Sequence, residues 1–235
     1  MPFLFAPAPM AVVPVQGERY EYFPIHRVYC IAKNYYQRGE LPQDTPNAPF
    51  FFMKAPDCVT PIAEKMTLAM PYPPMTQRLV PEVELVAALC HGGRNLTRQE
   101  AWDAIWGWGV GIDFARRDIL KAWRRSGRPW DLGKNFRHAS PVSHLRPHHR
   151  TPLPSTTDLW LYANNRKVQA GKTQQMIRNP GQVIARLSRY VRLRAGDLIF
   201  TGTPGIPQPV TDSTLIYAGI NGVGSLKIQL EPAKP

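Results

Sequence analysis

The sequence predicts an α+β fold dominated by strands, and three observations carry that expectation. There are 25 prolines in 235 residues, about twice the average usage. Proline suits turns, strand starts and sheet edges, and it breaks helix interiors. Short apolar runs rich in β-branched and aromatic residues recur between turn signals. One of them, Glu82–Leu89 (EVELVAAL), alternates along its whole length. Val83, Leu85, Ala87 and Leu89 fall on one face, and Glu82, Glu84, Val86 and Ala88 on the other. With 43% hydrophobic and 20% charged residues, a chain of this size can bury a core.

In chain order, Arg27–Ala32 (RVYCIA) and Pro49–Met53 (PFFFM) read as strands. The polar stretch 34–48 between them reads as a loop or short helix beside an opening. After the alternating strand, Thr97 and Glu100 have the spacing of a capping box. Ala101, Ala104, Ile105 and Trp108 then follow at helical spacing, with Gly107 and Gly109 as the stop. Val110–Asp113 reads as a short strand ending in a carboxylate, and Arg116–Arg125 as a second, basic helix. Leu159–Ala163 and Arg166–Gln169 flank Asn164-Asn165, a hairpin turn. Val183, Ile184, Leu187 and Val191 mark a helix ending before Gly196. Asp197–Phe200 is a buried strand running into the turn Thr201-Gly202-Thr203-Pro204, and Ser225–Leu230 is the closing strand.

The net charge is +12, and it is unevenly placed. Between Arg116 and Arg150 ten Lys/Arg face only Asp118 and Asp131, a local excess of +8. Such a field draws in small anions or nucleic acid. The segment lacks the interleaved aromatics and glycines of an RNA-binding strand pair, so a small anion is the expected partner. Cys30, Cys58 and Cys90 are an odd number without C-x-x-C spacing, as expected of reduced thiols. The apolar opening lacks a basic n-region and is broken by Pro2, Pro7, Pro9 and Pro14. No run could span a bilayer, so a cytoplasmic, membrane-free protein is expected.

Glu82 and Glu84 leave one face of their strand about 7 Å apart at Cα. Two carboxylates on one face must be solvated, paired with cations or joined by a metal. That face continues as Val86 and Ala88, which points into protein interior, and a strand ending in Asp113 offers a third oxygen ligand. A site of three carboxylates without thiolate or imidazole suits Mg²⁺, Mn²⁺ or Ca²⁺ rather than Zn²⁺. His138, His144, His148 and His149 lie among prolines and arginines, and no metal site is expected there.

These residues carry a family resemblance. The succession Tyr29-Cys30…Lys33-Asn34-Tyr35, Pro49-Phe50-Phe51-Phe52, Glu82-Val83-Glu84 and Gly111-Ile112-Asp113-x-x-Arg116-Arg117-Asp118 resembles the fumarylacetoacetate hydrolase family. It continues through Gly127-Arg128-Pro129-Trp130-x-x-Gly133-Lys134-x-Phe136, Gln169 and Gly196–Pro204, nearly the whole chain. The nearest branch is that of the fumarylpyruvate hydrolases and acylpyruvases. The resemblance implies a mixed β-sandwich roll, a homodimer, a Mg²⁺ or Mn²⁺ site and a small 2-oxo acid substrate. It places the metal ligands at Glu82, Glu84 and Asp113, the family's lysine at Lys134 and its carboxylate-binding threonine at Thr203. Thr201 and Gln169 join Thr203 as expected substrate contacts. One domain, 1–235, is expected, with N-terminal strands and a lid segment in 1–60 and the catalytic roll in 61–235.

The chain departs from the family pattern in two places. The family's hydrolases carry a His and, three residues later, a Glu on the lid; here Arg38 and Leu41 occupy those positions. Arginine stays protonated and cannot serve as a general base, so Arg38 is assigned to substrate binding and Glu40 to water activation. After Thr203-Pro204 a glycine-valine-glycine run is replaced by Gly205-Ile206-Pro207-Gln208-Pro209. Three readings follow. One is a metal-dependent C–C hydrolase of 2,4-dioxo acids. The second is a tautomerase or decarboxylase, which needs the same metal and no activated water. The third is a non-catalytic or nucleic-acid-binding protein on the same fold.

Overall fold

The computed structural model describes residues 3–17, 21–36 and 49–233. Arg38, Glu40 and Leu41, and most of the expected lid, lie outside the described residues. The chain opens with β1 (Val12–Pro14), β2 (Tyr22–Pro24), β3 (Val28–Ala32), β4 (Phe50–Lys54), β5 (Val59–Ile62), β6 (Thr67–Pro71), β7 (Leu79–Val80) and β8 (Val83–Leu89). Next come α1 (Arg98–Asp103), β9 (Ile105–Ile112), β10 (Ala115–Arg116), α2 (Arg117–Arg125), α3 (Asp131–Lys134), β11 (Ser140–Ser143) and β12 (Arg146–Pro147). The last third holds β13 (Asp158–Ala163), β14 (Arg166–Lys172), α4 (Pro180–Leu187), β15 (Leu198–Phe200), β16 (Leu215–Ile220) and β17 (Gly224–Glu231). Among the described residues no helix is long and apolar enough to cross a membrane.

A mixed sheet runs in the order β4-β3-β15-β8-β9-β11-β5, with β12 paired to β9. A second sheet runs β14-β13-β16-β17-β6. The larger core fills the space between them. Val83, Leu85, Ala87 and Leu89 face Leu159, Leu161, Ile216, Ala218, Ile228 and Leu230 across it, with α1 and α4 closing one end. The opposite face of the first sheet has its own smaller core, where Val86 and Ala88 pack with Val28, Cys30, Leu198 and Phe200. The alternation in EVELVAAL therefore separates two cores, and every residue of β8 is buried. A strand covered on both faces is the buried sandwich interior that near-continuous apolar sequence favours.

Both anticipated terminal signals are present. Thr97 Oγ1 accepts from the Glu100 amide, and Glu100 accepts from the Thr97 amide, closing the capping box of α1. Asn164 and Asn165 take φ of 47° and 64°, as a two-residue hairpin turn between β13 and β14 requires. Asn179 caps α4 in the same reciprocal way with Gln182.

The helix expected from Ala101 to Trp108 is corrected. It ends at Asp103, and Ile105–Ile112 is a strand paired along β8. Gly107, Gly109 and Gly111 alternate with Trp108 and Val110, a two-residue period that mimics helix-stop punctuation. Their role is close approach. A Cβ on Gly107 would lie 2.3 Å from the Arg146 carbonyl oxygen, and one on Gly111 would lie 2.5 Å from the Phe200 ring. The helix around Val183 is also shorter than expected, ending at Leu187 before Val191. The proline-rich segments hide β5 and β11, whose parallel pairing includes Pro61 and Pro141.

Gly111 sits directly across from Glu84 in the β8–β9 register, and its missing side chain leaves room for the Phe200 ring. Gly111→Ala is expected to lower stability by about 1–3 kcal/mol through overpacking, read as a lower urea midpoint. A wild-type midpoint would show that Phe200 moves aside without cost.

Candidate metal centre

Strand parity brings the three carboxylates together. Glu82 and Glu84 share the Val86–Ala88 face of β8. Asp113 follows β9 with the parity of Gly111, which pairs with Glu84. The Asp113 amide donates to the Glu82 carbonyl at 2.9 Å, tying the two strand ends. One oxygen from each of Glu82, Glu84 and Asp113 falls within 4.8 Å of the others, and all three side chains are largely buried.

Cations surround this cluster unequally. Lys134 Nζ lies 2.8 Å from Glu82 Oε2 and 2.6 Å from Asp113 Oδ2. Lys54 Nζ lies 2.6 Å from Asp113 Oδ1 and donates to the carbonyls of Ala139 and Phe114 at 2.7 and 3.2 Å. Arg117 donates to Glu82 Oε1 at 3.1 Å. Glu84 has no cationic side chain in contact among the described residues, and its hydrogen-bond donor there is the Gly202 amide at 2.7 Å.

The electrostatics follow from this arrangement. Burial pushes the Glu84 carboxyl well above the usual range, and the neighbouring Asp113 and Glu82 push it further. Burial acts on Asp113 in the same direction, but Lys134 and Lys54 outweigh it and hold the group below the ordinary value. Burial opposes the charge on Lys134, yet Asp113 and Glu82 raise its pKa, so it stays an ammonium. A buried carboxylate without its own cation, beside two more carboxylate oxygens, fits a hard dication. Among the described residues, this is the one group of three or more His, Cys, Asp or Glu side chains placed to hold a metal. The histidines behave otherwise: His148 Nδ1 accepts from Trp108 Nε1 at 2.9 Å, and His138 Nδ1 meets Thr60 Oγ1 at 2.7 Å.

The cluster forms the floor of a cleft of about 560 Å³, within the size range of small-molecule sites. Its walls include Lys33, Phe50, Phe52, Arg117, Leu120, Arg124, Trp130, Lys134, Arg178 and Thr203. Gly205, Ile206 and Pro207, the run that replaces the family's glycines, line it too.

Two expected substrate contacts stand elsewhere. Thr201 is fully buried and does not line the cleft; its hydroxyl donates to the Leu85 carbonyl at 2.8 Å. Gln169 is also outside the lining. Its amide nitrogen donates to Thr203 Oγ1 at 2.8 Å and to the Pro204 carbonyl at 2.7 Å, while its oxygen accepts from the Val83 amide. With donor and acceptor both engaged, Gln169 holds the 203–204 turn against β8. Thr203 does line the cleft, but its hydroxyl donates to the Val83 carbonyl at 2.6 Å. Sequence reasoning gave no role to Lys54. The available signal was a lysine ending an otherwise apolar strand, paired in register with Val28 at the core.

Residues 27–231 match the model of the fumarylacetoacetate (FAA) hydrolase C-terminal domain. The mitochondrial oxaloacetate tautomerase of Bos taurus is 31% identical over 205 residues, covering 87% of this chain and 91% of that protein. The fumarylpyruvate hydrolase of a Ralstonia species is 32% identical over 185 residues, covering 79% and 94%. Among solved structures, fumarylpyruvate hydrolase from Pseudomonas aeruginosa, in complex with Mn²⁺ and pyruvate, superposes with a TM-score of 0.93 at 34% identity over 98% of this chain and 100% of that one. With nearly its whole length matched, its two-sheet architecture shared and its acidic cluster at the cleft floor, the chain belongs to the fumarylacetoacetate hydrolase family.

Proposed function

We propose that this protein is a divalent-metal-dependent hydrolase that cleaves a C–C bond in a small 2,4-dioxo acid of the acylpyruvate class, which includes fumarylpyruvate. The observation that carries this reading is the convergence of Glu82, Glu84 and Asp113 within 4.8 Å at the floor of a cation-walled cleft. The similarity to fumarylpyruvate hydrolases supports it. Glu82, Glu84 and Asp113 would hold Mg²⁺ or Mn²⁺, with Ca²⁺ as the third hard cation their oxygens admit. Bound there, the dication supplies a Lewis acid within reach of a 2-oxo acid's carboxylate and keto oxygens.

Reaction of the 2,4-dioxo acid adds the hydroxyl of water to C4. The C3–C4 bond then breaks with its electron pair going to C3, and C3 takes up a proton, leaving pyruvate and a second acid. Lys134, held protonated by Asp113 and Glu82, offsets the negative charge that develops on the pyruvate fragment. The turn at Thr203, fixed by Gln169 and Val83, offers backbone N–H groups to the substrate carboxylate. Arg38 contributes to anion binding, and Glu40 activates water. A cytoplasmic homodimer is the working form we assign.

A second reading, a tautomerase or decarboxylase on a similar 2-oxo acid, is favoured by Arg38 and Leu41 at the positions of the water-activating pair. It also agrees with the similarity to oxaloacetate tautomerases. NMR of the products formed from fumarylpyruvate and from oxaloacetate separates the two. Pyruvate plus fumarate from the former supports hydrolysis; keto–enol exchange or loss of CO₂ from the latter alone replaces it. EDTA should abolish whichever activity is found and Mn²⁺ or Mg²⁺ should restore it, whereas persistent turnover in chelator would contradict the metal assignment.

Two variants test the residue roles. Loss of an outer-shell partner already costs metal affinity about 10–100-fold, so Glu84→Ala should weaken Mn²⁺ binding by at least that much in calorimetry; unchanged affinity removes Glu84 from the ligand set. Glu40→Gln should lower kcat on fumarylpyruvate by about 10²-fold or more if Glu40 is the base. An unaltered kcat assigns water activation elsewhere.

A further inference from the structure

We propose that a groove between α1 and α4, beside the cleft over the acidic cluster, is a binding site for a phosphate-bearing anion of the diphosphate class. The claim stands apart from the functional reading above, because it uses none of the acidic cluster.

The groove has a volume of about 310 Å³, at the small end of the range for small-molecule sites. Arg98, Arg178, Arg186 and Arg189 line it, and its lining among the described residues contains no Asp or Glu. Pro49 and Arg178 also line the cleft over the acidic cluster, so the two openings are neighbours.

Packing brings these arginines together from separate segments. Gly181 in α4 lets Trp102 of α1 come close; a Cβ there would lie 2.3 Å from Trp102 Nε1. Further along, the Leu96 amide donates to Ser188 Oγ at 2.9 Å and the Asn95 amide to the Ser188 carbonyl at 3.1 Å. These contacts set Arg98, the first residue of α1, beside α4. On α4 itself Gln182, Ala185 and Arg186 follow at i, i+3 and i+4, which puts them on one face. Arg178 stands before that helix and Arg189 after it. The main chain of Arg178 is fixed by the buried Asn34, which donates to its carbonyl at 2.9 Å and accepts from its amide at 3.0 Å.

Like charges gathered around a small groove repel one another. Among the described residues no carboxylate forms an ion pair with Arg98, Arg186 or Arg189. Glu100, close to the lining residue Thr97, is taken up by the Thr97 amide and hydroxyl at 2.8 Å each. Arg186 Nε is buried without a hydrogen-bond partner among the described residues, and its guanidinium lies 5.8 Å from the centre of the Tyr190 ring. A desolvated N–H without a partner is costly, and an oxyanion seated against Arg186 supplies the partner. A phosphate group carries a charge of about −1.5 to −2 and three strong acceptor oxygens, and guanidinium forks meet such oxygens two N–H groups at a time. A diphosphate spreads enough charged oxygens to meet several of these forks together, which a single carboxylate does not.

Calorimetry of inorganic pyrophosphate against the full chain tests the site, at about 0.15 M ionic strength to screen diffuse attraction and with no added divalent metal. Wild type should bind saturably with a Kd below about 1 mM. Arg186→Gln, Arg98→Gln and Arg189→Gln should each weaken binding about 10–100-fold. Arg186→Lys should lose less, because it keeps the charge but not the fork. Arg124→Gln, on the wall of the neighbouring cleft, should bind as wild type does, and succinate should bind at least about tenfold more weakly than pyrophosphate. Absence of saturable binding below about 1 mM, equal affinity for succinate, or a loss in Arg124→Gln matching that in Arg186→Gln overturns the assignment. So does unchanged affinity in both Arg98→Gln and Arg189→Gln, whose exposed side chains can be replaced without disturbing the core.

Discussion

The structure turns on Glu84, an acidic side chain buried in the middle of a sheet and lacking a cationic side chain of its own among the described residues. Removing a carboxylate from water is costly, and placing two more beside it is costlier. The surrounding architecture answers that cost piece by piece. Lys54 arrives on β4 to meet Asp113, Lys134 at the end of α3 bridges Asp113 and Glu82, and Arg117 at the start of α2 holds Glu82. Losing one partner of such a buried pair typically costs about 3–5 kcal/mol because it strands the other charge, so once these carboxylates are buried their partners have to stay in place. What they leave without a cationic side chain among the described residues is Glu84, whose charged form a bound dication would stabilise.

Because the cations are anchored in different strands and helices, the cluster also sets the shape of the cleft. Lys134 cannot reach both carboxylates unless α3 lies against the ends of β8 and β9, and that placement carries Trp130 to the wall. Arg117 can hold Glu82 only if α2 starts at the cleft floor, which sends the rest of the helix toward the mouth. The floor's electrostatics thus determine where the side walls run. Apolar burial sets the sheets, and ion pairs orient what surrounds the opening.

Much of this is legible in the sequence where a local rule and the tertiary environment agree. Alternation in EVELVAAL separates two cores as expected, Thr97 and Glu100 close their box, and Asn164-Asn165 turns a hairpin. The misreading at Ile105–Trp108 has a physical cause. Gly107 and Gly109 look like helix punctuation, but with Gly111 they let Arg146, Leu145 and Phe200 press against β9. That reason is three-dimensional and leaves no local trace. The same holds at the site. The carboxylates are visible because they share strand parity, whereas Lys54 is hidden because its partner is 59 positions away. Thr201 and Gln169 look like ligand donors by residue type, but their hydrogen-bonding capacity is spent on Leu85, Thr203 and Val83.

An acidic floor of this kind can serve several related chemistries. Hydrolysis, decarboxylation and tautomerisation of a 2-oxo acid all place negative charge next to the keto carbon, so all can use the same acidic cluster with Lys134 beside it. Hydrolysis alone also demands a water molecule stripped of a proton, which a permanently protonated arginine cannot do. On the reading proposed above, Arg38 therefore supplies charge and no proton acceptor. The described walls of the cleft already carry Lys33, Arg117, Arg124 and Arg178, a positive lining that draws in small anions.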